Sequence, residues 1–198
     1  MTARLCTGLP SLRRAGTHAL LLGSMRAGAE RLGMRVVEFS FQSNHVHWIV
    51  EASDRNSLAR GTKGLLVRLA RQLNRHWGRS GRVFADRHHV RALQSPAEVR
   101  RALVYVLHNA RRHGAGVRGI DPFSSGPWFD GFRTNGGNSR LVDALRREPR
   151  ASCVPRTWLL RSGWQRRGRI DVDEFVPAWF DARAPGARSA RAGSARTR

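Results

Sequence analysis

Met34-Arg35-Val36-Val37-Glu38-Phe39-Ser40-Phe41-Gln42-Ser43-Asn44-His45-Val46-His47-Trp48-Ile49-Val50-Glu51 is the stretch whose reading decides the fold. Met34 to Gln42 is rich in Val and Phe, which fit a pleated, half-buried surface, and it reads as a strand. Ser43-Asn44 is a tight turn. His45 to Glu51 reads as the second strand of a hairpin, with Val46, Trp48 and Val50 on one side. Residues i and i+2 of a strand leave the same face, so the imidazoles of His45 and His47 project side by side from the other. Two adjacent imidazoles suit one divalent metal. Taken alone the pair is a weak signal, because paired histidines also arise by chance.

Working outward, residues 1–6 alternate weakly and predict a short strand. Ser11 is placed to cap a helix running to about Leu32, which Gly33 ends. After the hairpin, Ser57 is placed to cap a helix from Leu58 to about Trp77, with Leu58, Leu65, Leu66, Leu69 and Leu73 on its apolar face. At about 100° per residue, Arg68, Arg71, Arg75 and Arg79 fall together on the opposite side. No acidic residue occurs from Leu58 to Val83, so this is a basic stripe rather than an ordinary mixed surface. Phe84 to Leu93 reads as a further strand. Ser95-Pro96-Ala97-Glu98 is a capping box with proline at the first helical position, opening a helix to roughly Arg112 that Gly114 stops. The order strand, helix, strand, strand, helix, strand makes an α+β, ferredoxin-like split βαβ arrangement with an antiparallel sheet and an added C-terminal helix.

That last helix carries Tyr105, the single tyrosine of the chain. Asn109 follows it by one turn. Val99, Leu103, Val106 and Ala110 set the apolar face, and Tyr105 and Asn109 lie about a quarter to a third of a turn from it, beside the core. His108 points nearly opposite the core and is expected in solvent. A tyrosine oxygen can attack a phosphodiester and hold the DNA end covalently. A divalent metal on two histidines and an amide oxygen can polarise that phosphate.

Composition points to the same partner. The 198 residues carry 36 Lys+Arg against 14 Asp+Glu, a net charge of +22, and all the basic residues but Lys63 are arginine. So large a charge repels itself unless a polyanion is near, and the guanidinium fork suits phosphate. A GC-rich codon bias inflates arginine too, but does not place it on one helix face. The hydrophobic content of 40% supports a real core. Cys6 and Cys153 match no metal spacing and imply no disulfide framework, so a reducing, cytoplasmic location is expected. Ala19 to Leu22 is too short to cross a membrane, and residues 1–29 read as an amphipathic helix rather than a signal peptide.

Residues 115–181 are expected to form an extension with one or two short helices packing partly on the core. Its tryptophans are Trp128, Trp158, Trp164 and Trp179. Pro155 to Gly168 mixes Trp with Arg and can touch nucleic acid by stacking, although such tryptophans more often anchor an extension. Residues 182–198, Ala, Gly, Ser and Arg without an acid, read as a disordered basic tail.

Ser43-Asn44-His45-Val46-His47-Trp48-Ile49-Val50 resembles the His-hydrophobic-His motif of the single-tyrosine HUH transposases. Gly81 to His89 and Tyr105 to Gly114 resemble their later motifs, and the likeness, nearest to the REP-associated tyrosine transposases, covers about residues 1–114. Position 88 holds His where relatives often carry Tyr. The resemblance implies a DNA transposase that cuts and rejoins single-stranded or hairpin DNA, with Mg²⁺ or Mn²⁺ and a 5′-phosphotyrosine intermediate on Tyr105. His45, His47 and Asn109 match the metal ligands. Arg68, Arg71, Arg75, Arg87, Arg111 and Arg112 are expected to hold the DNA backbone, at the nucleoid, in a monomer or a homodimer. A non-catalytic DNA-binding descendant and an HUH replication initiator or relaxase are the alternatives.

Overall fold

The computed structural model describes residues 1–85, 89–112, 118–133 and 139–175. Arg87, the side chain of Arg112, Trp179 and the basic tail 182–198 lie outside the described residues. The hairpin forms as its sequence predicts. Strand β3, Met34–Phe41, runs antiparallel to β4, His45–Ala52. Strand β1, Thr2–Arg4, pairs with the outer side of β4, opposing Thr2 to His47. On the far edge lies β2, Glu30–Arg31, giving a four-stranded antiparallel sheet in the order β1-β4-β3-β2. The protein is a mixed α/β molecule built on this open sheet.

Strand β2 stands where the sequence pattern predicts the last turn of a helix. Helix α1 spans Ala15–Gly28, with Arg14 rather than Ser11 at its N-cap. The chain then turns back through Leu32 (φ 56°) and Gly33 (φ 77°), with Arg31 opposite Met34. Two consecutive residues at positive φ make a tight hairpin turn matched to strand twist. Gly33 accepts this freely, while Leu32 bears a strain on the order of 1 kcal/mol. A side chain at Gly33 would also meet the hydroxyls of Ser53 and Ser57 at 2.8–2.9 Å.

Helix α2, Arg55–His76, is capped by Asp54, whose carboxylate accepts from Ser57 N at 2.8 Å. The cap therefore sits three residues before the serine expected to serve. With α1 it covers one face of the sheet: Val36, Phe39, Phe41, Val46 and Trp48 interlock with Leu21, Leu22, Met25, Leu65, Leu69 and Leu73. Val36 and Phe39 share that face despite their odd spacing because the register shifts between Val36 and Glu38, a β-bulge.

The other sheet face carries Glu38, Ser40, His45, His47 and Ile49. Helix α3, Pro96–Leu107, covers it, and its N-cap Ser95 accepts from Glu98 N as the capping box requires. Glu98 reaches Gln94 N at 2.9 Å instead of closing the box on Ser95. The expected single helix to Arg112 is interrupted at His108, and Asn109–Arg112 forms a separate short helix, α4. The predicted strand over Phe84 to Leu93 is reduced, among the described residues, to two isolated antiparallel bridges to the first strand segment, Leu5 to Phe84 and Thr2 to His89.

The region after residue 117 closes the third layer. It contains α5, Arg140–Arg147, and α6, Trp158–Arg161, with 3-10 turns at Gly126–Trp128 and Gly163–Arg167. Ile120, Phe129, Phe132, Val142, Trp164, Ile170 and Val172 form a second core with α3. Three buried polar clamps tie this region to the sheet layer. Arg13 holds Asp121 through both carboxylate oxygens at 2.8 and 2.9 Å. Glu51 accepts from the backbone N–H groups of Arg156 and Thr157 and from the Thr157 hydroxyl, at 2.7–3.1 Å. Glu38 takes Ser125 Oγ and an ion pair to Arg150 at 3.5 Å.

Candidate active site

His45 and His47 are both buried, and they leave β4 on the face turned to α3 as strand alternation requires. Their ring centroids are 4.7 Å apart and the rings meet edge-on. Each imidazole is oriented through Nδ1. His47 Nδ1 shares a 2.8 Å hydrogen bond with Thr2 Oγ1, which the β1–β4 register places directly opposite. His45 Nδ1 lies 2.8 Å from Asn44 Oδ1. As Asn44 Oδ1 is an acceptor, His45 Nδ1 donates, and the lone pair of that ring resides on Nε2. A ring held through Nδ1 presents Nε2 to a ligand in the manner of metal-binding histidines. Sequence reasoning missed Thr2, and only the pairing of the first strand with the hairpin could have found it.

Tyr105 reaches this pair from α3. Its ring stands 5.0 Å from that of His47, nearly perpendicular, and its hydroxyl lies 3.4 Å from His47 Nε2. That contact is at the long limit of hydrogen bonding and holds the phenol only weakly. Tyr105 is 4% exposed and packs within the second core, deeper than the flank position the sequence suggests.

Asn109 is fully buried at the start of α4. Neither Oδ1 nor Nδ2 has a hydrogen-bond partner among the described residues. A buried amide without partners forfeits roughly 1–3 kcal/mol, so such a group calls for a ligand or an ordered water. No group of three or more His, Cys, Asp or Glu that could hold a metal exists among the described residues.

His108 departs from expectation. It is buried, not exposed, and lies parallel to Phe132 with centroids 5.8 Å apart. Burial, and next the nearby Arg111 guanidinium, push its pKa down to about 4. Val99, Leu103 and Val106, the apolar face read from the sequence, lie in the second core, and what helical geometry cannot supply is Phe132, which covers the His108 ring. His89 is exposed, and its backbone pairs with Thr2.

A cleft of about 530 Å³ is lined by Thr2, His47 and Tyr105, and also by Glu51, Thr157 and Leu160. Such a volume lies within the ~300–1,000 Å³ common for ligand sites.

No family model, curated protein or solved structure matches the chain.

Of the arginines expected to hold DNA, the described ones, Arg68, Arg71, Arg75 and Arg111, do not line this cleft. Arg71 and Arg75 are exposed and Arg68 is half-buried on α2, which packs on the sheet face opposite the histidines. Arg111 donates to Gly119 O at 2.6 Å and pairs with Asp173 at 3.1 Å. Among the described residues, no helix is long and apolar enough to cross a membrane.

Proposed function

We propose that this chain is a DNA transposase of the single-tyrosine HUH type, a metal-dependent endonuclease and strand transferase acting on single-stranded or hairpin DNA. The observation that carries the reading is the meeting of the Tyr105 hydroxyl with His47 Nε2 beside His45. The sheet supports it. The bridges put Phe84 and His89 beside β1, on the edge where a ferredoxin-like palm has its remaining strand.

The donor set fits a divalent ion. Two imidazoles are oriented through Nδ1, and Asn109 is a buried amide with both atoms unsatisfied. His45, His47 and Asn109 would hold Mg²⁺ or Mn²⁺, which, when bound, supplies Lewis-acid polarisation of a phosphate oxygen. Tyr105 provides the nucleophile. Its oxygen forms a bond to phosphorus as the phenol proton departs, the bond to the 3′-oxygen breaks, and that oxygen takes up a proton. The DNA end stays on Tyr105 as a 5′-phosphotyrosine ester, which a 3′-hydroxyl can attack to rejoin a strand. Phosphate contacts from Arg87 and Arg112 would position the strand, while Arg111 is engaged by Gly119 O and Asp173. Arg68, Arg71 and Arg75, on the opposite layer, would hold more distant DNA at the nucleoid in the cytoplasm.

The test uses single-stranded hairpin substrates labelled at either end, with Mg²⁺ or Mn²⁺, analysed on denaturing protein gels. Wild type should form a covalent band with the 3′-labelled strand, lost with EDTA and in Tyr105→Phe and His45→Ala. If no substrate gives an adduct while salt-sensitive binding persists in all three proteins, the chain is instead a non-catalytic DNA-binding protein.

A further inference from the structure

Thr2 stands directly opposite His47 in the β1–β4 ladder, so both side chains leave the same face of the sheet, and both line the cleft with Tyr105. Its Oγ1 lies 2.8 Å from His47 Nδ1. Little in its surroundings lets it move away. On the side away from β4, its N–H donates to His89 O at 3.0 Å and its carbonyl accepts from His89 N at 3.1 Å. Threonine is β-branched, which stiffens χ1. A pinned backbone and a stiff side chain hold the hydroxyl against one ring nitrogen.

The two histidines have unlike holders. Asn44 Oδ1 only accepts, which puts the His45 proton on Nδ1. A hydroxyl accepts or donates, so the Thr2 contact by itself admits both tautomers of His47. The Tyr105 hydroxyl, 3.4 Å from Nε2, breaks the tie. A neutral imidazole has one N–H and one lone pair, so of two flanking hydroxyls one receives a proton and the other gives one. A phenol is a far stronger acid than an alcohol, and so the better donor. Tyr105 therefore gives to Nε2, and Thr2 receives from Nδ1. In the reverse tautomer an N–H would occupy Nε2, and no cation could bind there.

We propose that Thr2 is the positioning residue of His47: its hydroxyl accepts the Nδ1 proton and keeps the Nε2 lone pair turned toward Tyr105. The tautomer belongs to the folded chain alone; only the use of that lone pair by a divalent ion rests on the proposed function.

The test reads tautomer and ion affinity separately, in the full chain. Long-range imidazole proton–nitrogen NMR spectra at about pH 8, where free imidazole is neutral, report which nitrogen of His47 is protonated, with the signals assigned by their loss in His47→Ala. Wild type and Thr2→Ser should carry the proton on Nδ1. Thr2→Val fills the same space without a hydroxyl, and should move the proton to Nε2 in a substantial share of molecules. By Mn²⁺ titration, Thr2→Val should bind about ten- to hundredfold more weakly and Thr2→Ser close to wild type. A loss of packing alone would lower stability and leave the tautomer as it was. Wild-type His47 protonated on Nε2 overturns the proposal, as does an unchanged tautomer in Thr2→Val, or Mn²⁺ bound as tightly by that variant as by wild type. If the tautomer depends on Thr2 but wild type takes up no Mn²⁺, the metal reading fails and the positioning role stands.

Discussion

The two faces of the central sheet are built from the same two strands and buried in opposite ways. Toward α1 and α2, β3 and β4 present Val36, Phe39, Phe41, Val46 and Trp48, which interlock with aliphatic helix residues. Toward α3 they present Glu38, Ser40, His45, His47 and Glu51, all nearly as well buried. The first face needs only volume and apolarity to be stable. The second needs a partner for each polar group, since an unpaired buried group costs roughly 1–3 kcal/mol. Those partners come from elsewhere in the chain. Thr2 serves His47, Ser125 and Arg150 serve Glu38, and Thr157 serves Glu51. The region after residue 117 supplies the partners of Glu38 and Glu51 and so makes the cost tolerable.

The largest test of that contrast lies on the apolar face. Phe39 is fully buried against Phe41, with ring centroids 5.0 Å apart. Phe39→Ala should cost about 3–5 kcal/mol, read as a shift in the urea midpoint at unchanged slope. A cost below about 1 kcal/mol would mean that this face is not the main source of stability.

The apolar face is legible in the sequence for the same reason that it is stable. Alternation along Val46, Trp48 and Val50 and the leucine rows of α1 and α2 report burial directly, because the partners are interchangeable apolar atoms. The His45–His47 pair is legible too, as spacing alone sends both rings to one side. The partners of the polar face are not, because they depend on long-range register. Thr2 meets His47 only through the pairing of β1, and Ser125 meets Glu38 across a sequence separation that no periodicity reports. His108 shows this most clearly. Its angle on the helix follows from the sequence, but Phe132, which stacks on its ring, comes from beyond position 117. Asp54 takes the cap of α2 from Ser57 by a smaller margin, as both are good caps within one turn. The bulge at Val37 and the turn at Leu32-Gly33 leave no mark that a pattern of alternation could use.

A middle-sized test titrates the polar face. Burial raises the Glu38 carboxyl from its ordinary 4.5 to about 7, against the opposing pull of Arg150 and Ser125. A carboxyl with a raised folded pKa holds its proton more tightly in the folded chain. Its contribution to stability is full below about pH 4.5 and is lost as pH rises through about 7. The loss is on the order of 3 kcal/mol. Glu38→Gln should remove this dependence. Unfolding free energies of the two proteins should therefore diverge between about pH 5 and 7.5, with wild type losing ground to the variant. Parallel curves would mean that Glu38 is ionised throughout and fully matched by Arg150.

The smallest effect is expected farthest from the site, on the outer side of α2. Arg71 and Arg75 are exposed there, on the layer behind the apolar face, so their removal should change stability by less than about 0.5 kcal/mol. If they hold DNA, they do so through phosphates, and each arginine removed should reduce the slope of log affinity against log salt by about 0.9 on duplex. The double variant Arg71→Gln and Arg75→Gln should then bind a hairpin stem with a slope shallower by nearly two. On a short single strand that reaches only the Tyr105 cleft, its affinity should match wild type. A hairpin slope unchanged by the double variant would make the stripe an ordinary solvated helix face. Weaker binding of the short strand as well would require that strand to wrap round the sheet edge, joining two layers that the fold keeps apart.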